Sequence, residues 1–544
     1  MRIALAQINP VVGDLQGNAE KIERFYHKAV DAGAHLVLYP ELCLCGYPPE
    51  DLLLKKHFLE DNLKMINQLA AKLKDATAVI GFAEPSENSC YNSAAVITAG
   101  KLTQIYRKSL LPNYGVFDES RYFAVGKETV TFEAAGLKVA VSICRDIWEP
   151  DWLSNFLAKA RPFDVLVNLS SSPFHVGKIK IREDVVTQCA ARLGCAICYC
   201  NTVGGQDELV FDGRSMIADS QGRIRAKAKA FDEDLLIADI ESNGRDAKIT
   251  PVSGPADEIT DPLDEIYNAL ILGTRDYVRK NGFSSVLLGL SGGIDSSVVA
   301  AIAVAALGKE NVTGITMPSR FNAEDTKSDA GKLAANLDIK FLTIPIERTL
   351  AEFDKTLGTA DGWNDSGLAY ENLQARIRGC ILMSLSNQLG SMVLTTGNKS
   401  ETAVGYSTLY GDTAGGFAVI KDVPKTIVYK LAAYINAKAG KEIIPQSVID
   451  RPPTAELRQN QKDRDSLPDY DVLDKIIEGY VEQDKSTRQL IDSGLPKEDV
   501  LRVITMVDRN EYKRRQPPPG VKITPKAFGK DRRLPITNRY QPRY

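Results

Sequence analysis

Ser285-Val286-Leu287-Leu288-Gly289-Leu290-Ser291-Gly292-Gly293-Ile294-Asp295-Ser296-Ser297 is the stretch on which the reading of the fold turns. Residues 285–290 make a compact apolar strand, and the small apolar residues of 298–306 make a helix. Between them, two glycines let backbone N–H groups turn toward an anion, and the helix N-terminus adds its dipole. Ser291 and Ser296 supply hydroxyls, while Asp295 is a carboxylate suited to a magnesium ion. No lysine follows the second glycine, so the loop lacks the G-x-x-x-x-G-K-[ST] pattern of the P-loop.

Downstream of this loop, further strands are predicted at 312–317, 340–344 and 392–396, separated by helical stretches. That alternation predicts a doubly wound parallel sheet, with ligands outside the carboxyl ends of its strands. Upstream, residues 241–264 are rich in polar, Gly and Pro residues and read as a boundary between domains, with the linker itself at 246–262. Before it, strands are predicted at 2–7, 36–39, 78–82, 94–97, 139–143, 165–169 and 197–201. Helices are expected at about 18–32, 58–74 and 180–193, an interleaving that argues for a layered α/β domain. The basic, Pro-rich tail from Gln516 is expected to lie extended.

A chain of 544 residues exceeds what one core supports, so domains of 1–245 and 263–544 suit its length. Hydrophobic content of 44%, charged content of 25% and a net charge of -3 describe an ordinary globular protein. They offer no global field for nucleic acid and no span for a membrane. The nine cysteines are sparse and odd in number, which predicts a reducing, cytoplasmic setting. Cys195, Cys198 and Cys200 lie in an apolar β-rich run without a second ligand cluster, so they read as packing and no zinc or haem is expected. The four histidines all lie at or before His175, leaving the C-terminal chemistry to carboxylates, cations and backbone amides.

Three side chains stand at predicted strand exits in the first domain. They are Glu41 in Tyr39-Pro40-Glu41-Leu42, Lys108 in Tyr106-Arg107-Lys108, and Cys144 in Ser142-Ile143-Cys144-Arg145-Asp146-Ile147-Trp148. A thiolate attacking a carboxamide carbon gives a thioester and ammonia. Glu41 then serves as general base and Lys108 stabilises the oxyanion and favours the thiolate. In order and spacing these residues resemble the nitrilase superfamily of carbon–nitrogen hydrolases. The resemblance implies an αββα sandwich with a Glu41–Lys108–Cys144 triad. It also implies glutamine contacts from Tyr114, Ser172 and Lys178, although Arg145 stands where the glutaminase branch often carries Glu.

The loop at 290–297 resembles that of ATP pyrophosphatase-type enzymes, which activate a carboxylate as an adenylate. Thr395-Thr396-Gly397-Asn398-Lys399-Ser400-Glu401, Gly405-Tyr406-Ser407-Thr408-Leu409-Tyr410-Gly411-Asp412 and 417–425 resemble the NAD synthetases. Residues 451–457 and 526–533 continue the likeness. Together the two resemblances span nearly the whole chain and imply the long, glutamine-dependent bacterial type of NAD synthetase. Its second domain is expected to be Rossmann-like, of the adenine-nucleotide α-hydrolase type.

The likeness implies ATP contacts from Gly289, Leu290, Ser291, Gly292, Gly293, Ile294, Asp295, Ser296 and Thr396, and a magnesium site at Asp295, Glu401 and Thr454. It implies deamido-NAD contacts from Asn372, Arg376, Glu401 and Lys513, a homo-oligomer with paired synthetase domains, and mobile segments near 407–424 and 451–470. Leu409 stands where shorter relatives carry Lys, a charge that Lys421 is positioned to replace. The reading that competes with this is another adenylating glutamine amidotransferase with a different acceptor.

Overall fold

The computed structural model describes residues 1–540 except 88, 243–246, 255–257, 365, 455 and 459–466. It divides into two compact units, Met1–Pro262 and Leu263–Tyr544.

The first unit is built on two large sheets and also has a two-stranded one, Val203–Gln206 with Leu209–Asp212. A seven-stranded sheet has the spatial order Ala247–Pro251, Asp234–Ser242, Arg2–Gln7, Leu36–Leu38, Thr77–Pro85, Cys90–Thr98 and Lys101–Arg107. A six-stranded sheet runs Ile224–Lys227, Met216–Ala218, Ala196–Asn201, Val165–Ser170, Leu137–Ile143 and Thr131–Ala134. Alternation along each strand sorts its residues between layers. Ile3 and Leu5 face the other sheet, while Ala4 and Ala6 meet the helices Leu15–Asp31 and Lys56–Ala70. Val139, Val141 and Ile143 likewise point between the sheets, and Ala140 points to helix Lys178–Leu193. The result is an αββα sandwich. Cys198 and Cys200 fall in its central layer and Cys195 in the outer one, all three buried.

The stretch read as a linker contains structure. Ala247–Pro251 pairs antiparallel with Asp234–Ser242 as an edge strand. Ala247 and Ile249 are half-buried against the core between the sheets and Lys248 and Thr250 are exposed, so the strand alternates, but its apolar face is only two residues long within a polar, Gly- and Pro-rich stretch. Residues 246 and 255–257 lie outside the described residues.

In the second unit the five strands Lys340–Thr343, Val312–Thr316, Val286–Gly289, Met392–Thr395 and Phe417–Ala418 are all parallel, in that order. Chain order reverses between Val286–Gly289 and Met392–Thr395, the switch point at which such sheets bind ligands. Helix Ile294–Leu307 is apolar on nearly every side and buried, whereas Glu347–Leu357 and Leu368–Leu389 cover the opposite face. The tail crosses this unit in extended form. Pro519 accepts from the Ala418 N–H at 2.9 Å, and the Ile523 and Thr524 N–H groups donate to Asp422 at 2.8 and 2.7 Å.

Candidate active site

Each compact unit carries a cluster of charged side chains at the carboxyl ends of its strands. In the first, Glu41 is fully buried and its carboxylate accepts three hydrogen bonds. Lys108 Nζ and Asn92 Nδ2 donate to Oε1 at 2.6 and 2.8 Å, and the Ser171 N–H donates to Oε2 at 2.9 Å. Lys108 Nζ also meets Glu119 at 2.8 Å, and Tyr47 OH donates to that carboxylate at 2.9 Å. Burial works against the Lys108 charge, but Glu119 and Glu41 more than offset it and hold the amine protonated. Glu119 itself is pushed up to about 7 by burial and by the Glu41 charge, with Lys108 pulling the other way.

Cys144 follows strand Leu137–Ile143 and opens the turn Cys144–Trp148 with a backbone φ of 41°. A left-handed, non-glycine residue is strained by about 1–3 kcal/mol and needs its surroundings to hold it. Asp146 does so: it accepts from the Ile143 N–H at 2.9 Å, Tyr106 OH at 2.8 Å and the Leu110 N–H at 2.8 Å. These bonds tie the turn bearing Cys144 to the segment leaving Lys108. The Cys144 thiol is raised by burial and by Glu41 and Glu119, and Lys108 lowers it without prevailing. The expected help from Lys108 toward a thiolate is present in direction, but burial first and then the two carboxylates outweigh it.

Of the three expected glutamine contacts, Tyr114 lies within electrostatic range of Cys144 and Lys108. Tyr114 is half-exposed and accepts from Arg145 Nη1 at 3.0 Å, Ser172 is buried, and Lys178 Nζ lies 4.4 Å from the Trp148 ring centre.

In the second unit the Gly-rich turn is held by its own hydroxyls. Ser291 Oγ accepts from the Gly293 N–H at 3.2 Å and lies 3.2 Å from Ser296 Oγ. Gly292 has φ 79°, and a Cβ there would stand 2.1 Å from the Thr326 carbonyl oxygen, so no side chain fits. A cavity of about 300 Å³ opens on one side of the turn, lined by Ser291, Asp295, Thr396, Glu401, Asp412 and Lys513. A smaller one, about 110 Å³, shares Asp295 and Glu401 and adds Gly293, Lys425 and Thr454. Asp295 Oδ1 accepts from Asn398 Nδ2 at 2.9 Å. Lys425 Nζ pairs with Asp295 Oδ2 and lies 3.5 Å from Glu401. Asn398 caps helix Lys399–Val404, exchanging hydrogen bonds with Glu401 in a capping box. Lys399 anchors that helix through Asp422 at 2.9 Å, Glu482 at 2.7 Å and Thr524 at 2.6 Å, the last from the tail.

Two family models match the chain: carbon-nitrogen hydrolase over residues 2–248 and NAD synthase over 266–517. The glutamine-dependent NAD(+) synthetase of Thermotoga maritima is 45% identical over 99% of both chains. The chain belongs to the glutamine-dependent NAD(+) synthetases. It is thereby a ligase, a glutamine-hydrolysing NAD synthase of a family that uses ATP. The solved glutamine-dependent NAD+ synthetase of Acinetobacter baumannii, in complex with adenosine diphosphate, is 42% identical, with a TM-score of 0.78 over 99% of this chain and 98% of that one. The enzyme of Cytophaga hutchinsonii, at 22% identity and a TM-score of 0.85 over 99% and 98%, shares the fold. Among the described residues, no helix is long and apolar enough to cross a membrane.

Of the side chains marked in the sequence of this NAD(+) synthetase, Glu41 and Lys108 come together directly, with Cys144 in their electrostatic range. Asp295, Glu401, Thr396, Thr454 and Lys513 share the cavities around the loop. Lys513 Nζ is committed to the carbonyls of Gly405 and Ser407 at 2.8 and 2.9 Å. Asn372 and Arg376 stand apart from the loop cavity. Asn372 accepts from Thr408 Oγ1 at 2.7 Å, and Arg376 lines a separate cavity with Cys380, Met383 and Tyr410. Arg378, two residues on and so on another side of the helix, faces the loop instead. Lys421 lines the loop cavity and donates to the Pro518 carbonyl at 2.7 Å. Of the segment 451–470, residues 455 and 459–466 lie outside the described residues.

Glu119, Asn92 and Lys425 were not legible as site residues. One signal was available for Lys425: a lysine in the first turn of helix Lys425–Ala439 opposes the helix dipole, and such local conflicts mark functional positions.

Proposed function

We propose that Cys144 releases ammonia from glutamine and that the second unit adds it to the nicotinate carboxylate of deamido-NAD, activated by ATP, to give NAD, AMP and pyrophosphate. The observation carrying this reading is the presence in one chain of a buried Glu41–Lys108 pair beside a strained thiol and of a phosphate loop facing Asp295 and Glu401. On this reading the glutaminase spans 1–245, the linker 246–262 and the synthetase 263–544.

Three donors fix the Glu41 carboxyl in a dry site, where it is placed to accept the Cys144 proton as sulfur attacks the amide carbon. The proton passes to the leaving amine, a thioester remains, and water attacks it with Glu41 again the base. The fixed ammonium of Lys108 offsets the negative charge that develops on sulfur and oxygen. Tyr114, Ser172 and Lys178 hold the amino-acid end of glutamine.

Gly289 to Ser296 and Thr396 hold ATP, with the backbone N–H groups of the turn directed at phosphate. Asp295 and Glu401 converge on one cation position, which the Lys425 ammonium fills, and two carboxylates beside a phosphate loop suit a hard divalent cation. With Thr454 they would hold Mg2+, which when bound offsets charge on the departing pyrophosphate. Lys425 then turns its charge to the phosphates. Asn372, Arg376, Glu401 and Lys513 receive deamido-NAD. The exposed Met383 and Tyr410 around Arg376 support pairing of two synthetase units at that face. All nine cysteines are unpaired, which supports a reducing, cytoplasmic setting.

The test supplies purified protein with deamido-NAD, ATP, magnesium and either glutamine or ammonium, and follows NAD and AMP by mass spectrometry. Wild type is expected to use both nitrogen sources and Cys144→Ala only ammonium. Absence of NAD from either source would overturn the acceptor and leave an adenylating amidotransferase acting on another acid.

A further inference from the structure

We propose that Arg145 is a specificity-determining residue that reads the α-carboxylate of the amide donor, with Glu149 reading its α-ammonium. The proposal rests on Cys144 being the glutaminase nucleophile.

Arg145 is the residue directly after Cys144, and its guanidinium is the hub of a small cluster beside the thiol. Nη1 donates to Tyr114 OH at 3.0 Å and Nη2 to Glu149 at 2.6 Å. The guanidinium carbon lies 5.4 Å from the Tyr114 ring centre and 5.8 Å from that of Trp148, whose ring also receives the Lys178 ammonium. Tyr114 locates the cluster relative to the chemistry. Its hydroxyl is raised by burial, lowered by Arg145, raised by Cys144 and lowered by Lys108, so it is within electrostatic reach of both the nucleophile and its ammonium. Arg145 is one hydrogen bond further out.

The guanidinium is therefore placed and oriented but not consumed. Each terminal nitrogen spends one N–H on a neighbour, which leaves the other donors of the guanidinium for a carboxylate. Its side chain is about one-quarter exposed and that of Glu149 about half, so a ligand can reach both. Beside the Cys144 thiol this is a paired cation and anion of the kind that a free amino acid, with its carboxylate and ammonium on one carbon, can bridge. A simple amide offers neither charge.

The experiment measures hydrolysis by the full-length protein of three donors. These are L-glutamine, glutaramate (glutamine without its ammonium) and 4-aminobutanamide (glutamine without its carboxylate). In Arg145→Gln, kcat/KM is expected to fall by roughly 10- to 100-fold for glutamine and glutaramate, mainly through KM, and to change little for 4-aminobutanamide. Turnover of that last donor shows that the catalytic groups remain in place. Arg145→Lys, which keeps the charge and loses the fork, should recover part of the loss. An equal fall for all three donors would mean that Arg145 only supports the turn, and no fall would mean that it reads nothing; either result overturns the assignment. A wild-type protein that hydrolyses no donor would instead overturn the glutaminase reading beneath it.

Discussion

Lys108 and Lys425 are each held between two carboxylates, one in each compact unit, and they differ in how far water reaches them. The side chains of Lys108 and Glu41 have no exposure and Glu119 has 5%. Lys425 is 3% exposed, but its partners Asp295 and Glu401 keep 18% and 19% and line open cavities. A fully enclosed ion group is stable only as a complete set, since removing one member strands a buried charge. A group with wet partners can exchange one of them for a ligand. The first arrangement suits a catalyst that returns to the same state after each turnover, and the second suits a site that must admit a nucleotide and its cation.

The largest effect that would test this contrast is on nitrogen source. Glu41→Gln should cut glutamine-supported NAD formation by roughly 10²- to 10⁴-fold, the usual contribution of a general base, and spare ammonium-supported synthesis. Lys425→Met should slow synthesis from both sources and raise the KM for ATP. If Glu41→Gln lost both activities equally, the two sites would not be chemically separate.

Stability should sort the same pair. Lys108→Met leaves Glu41 and Glu119 facing each other and should cost about 3–5 kcal/mol. Lys425→Met, with water at its partners, should cost about 1–3 kcal/mol. Urea midpoints at constant m measure both, and equal losses would erase the distinction between a closed and an open cluster.

Glu119 adds a pH signature. Its carboxyl binds a proton more tightly in the fold, where it is pushed up to about 7, than in the unfolded chain near 4.5. Between those values the folded state holds more protons, so this group makes stability fall as pH rises. Glu119→Gln should flatten that fall, which denaturation at stepped pH would show. An unchanged slope would mean that Glu119 is ionised throughout. The smallest effect is expected at Lys421, whose ammonium is already bound by the Pro518 carbonyl. Lys421→Met should raise the KM for the acceptor by at most about tenfold.

The closed site was the more legible of the two in part because its members leave strands, and strand ends are readable from period-2 apolar runs. Glu41, Lys108 and Cys144 each stand at or just beyond such an exit. Glu119 does not: Asp118-Glu119-Ser120-Arg121 has the composition of a surface turn, and only Tyr47 and Lys108 reveal that it is buried. At the open site the loop from Ser291 to Ser296 was plain, but the cation facing Asp295 was not. The cation that meets Asp295 and Glu401 is Lys425, which the sequence shows only as the last residue of the stretch 417–425. Arg378, two residues beyond Arg376, lines the loop cavity, a placement invisible in the sequence because neighbouring cations on a helix look alike until the helix is docked. The edge strand Ala247–Pro251 reads as linker because only Ala247 and Ile249 carry its apolar face, within a polar, Gly- and Pro-rich stretch.

By itself the sequence determined what local physics can encode: the alternation that sorts Ile3 from Ala4, the glycine turn that only a residue without a Cβ can make, and the order of strands and helices. It also determined two units, because the motifs repeat a complete α/β series on either side of a polar stretch. The tertiary structure alone decided the charge pairings, which join Glu41 to Lys108 across 67 residues and Asp295 to Lys425 across 130. The reason is that the worth of a charge depends on the water removed around it, and no single segment carries that quantity. The same carboxylate reads as a surface residue in a turn and is a buried partner of Lys108 once the sandwich closes over it.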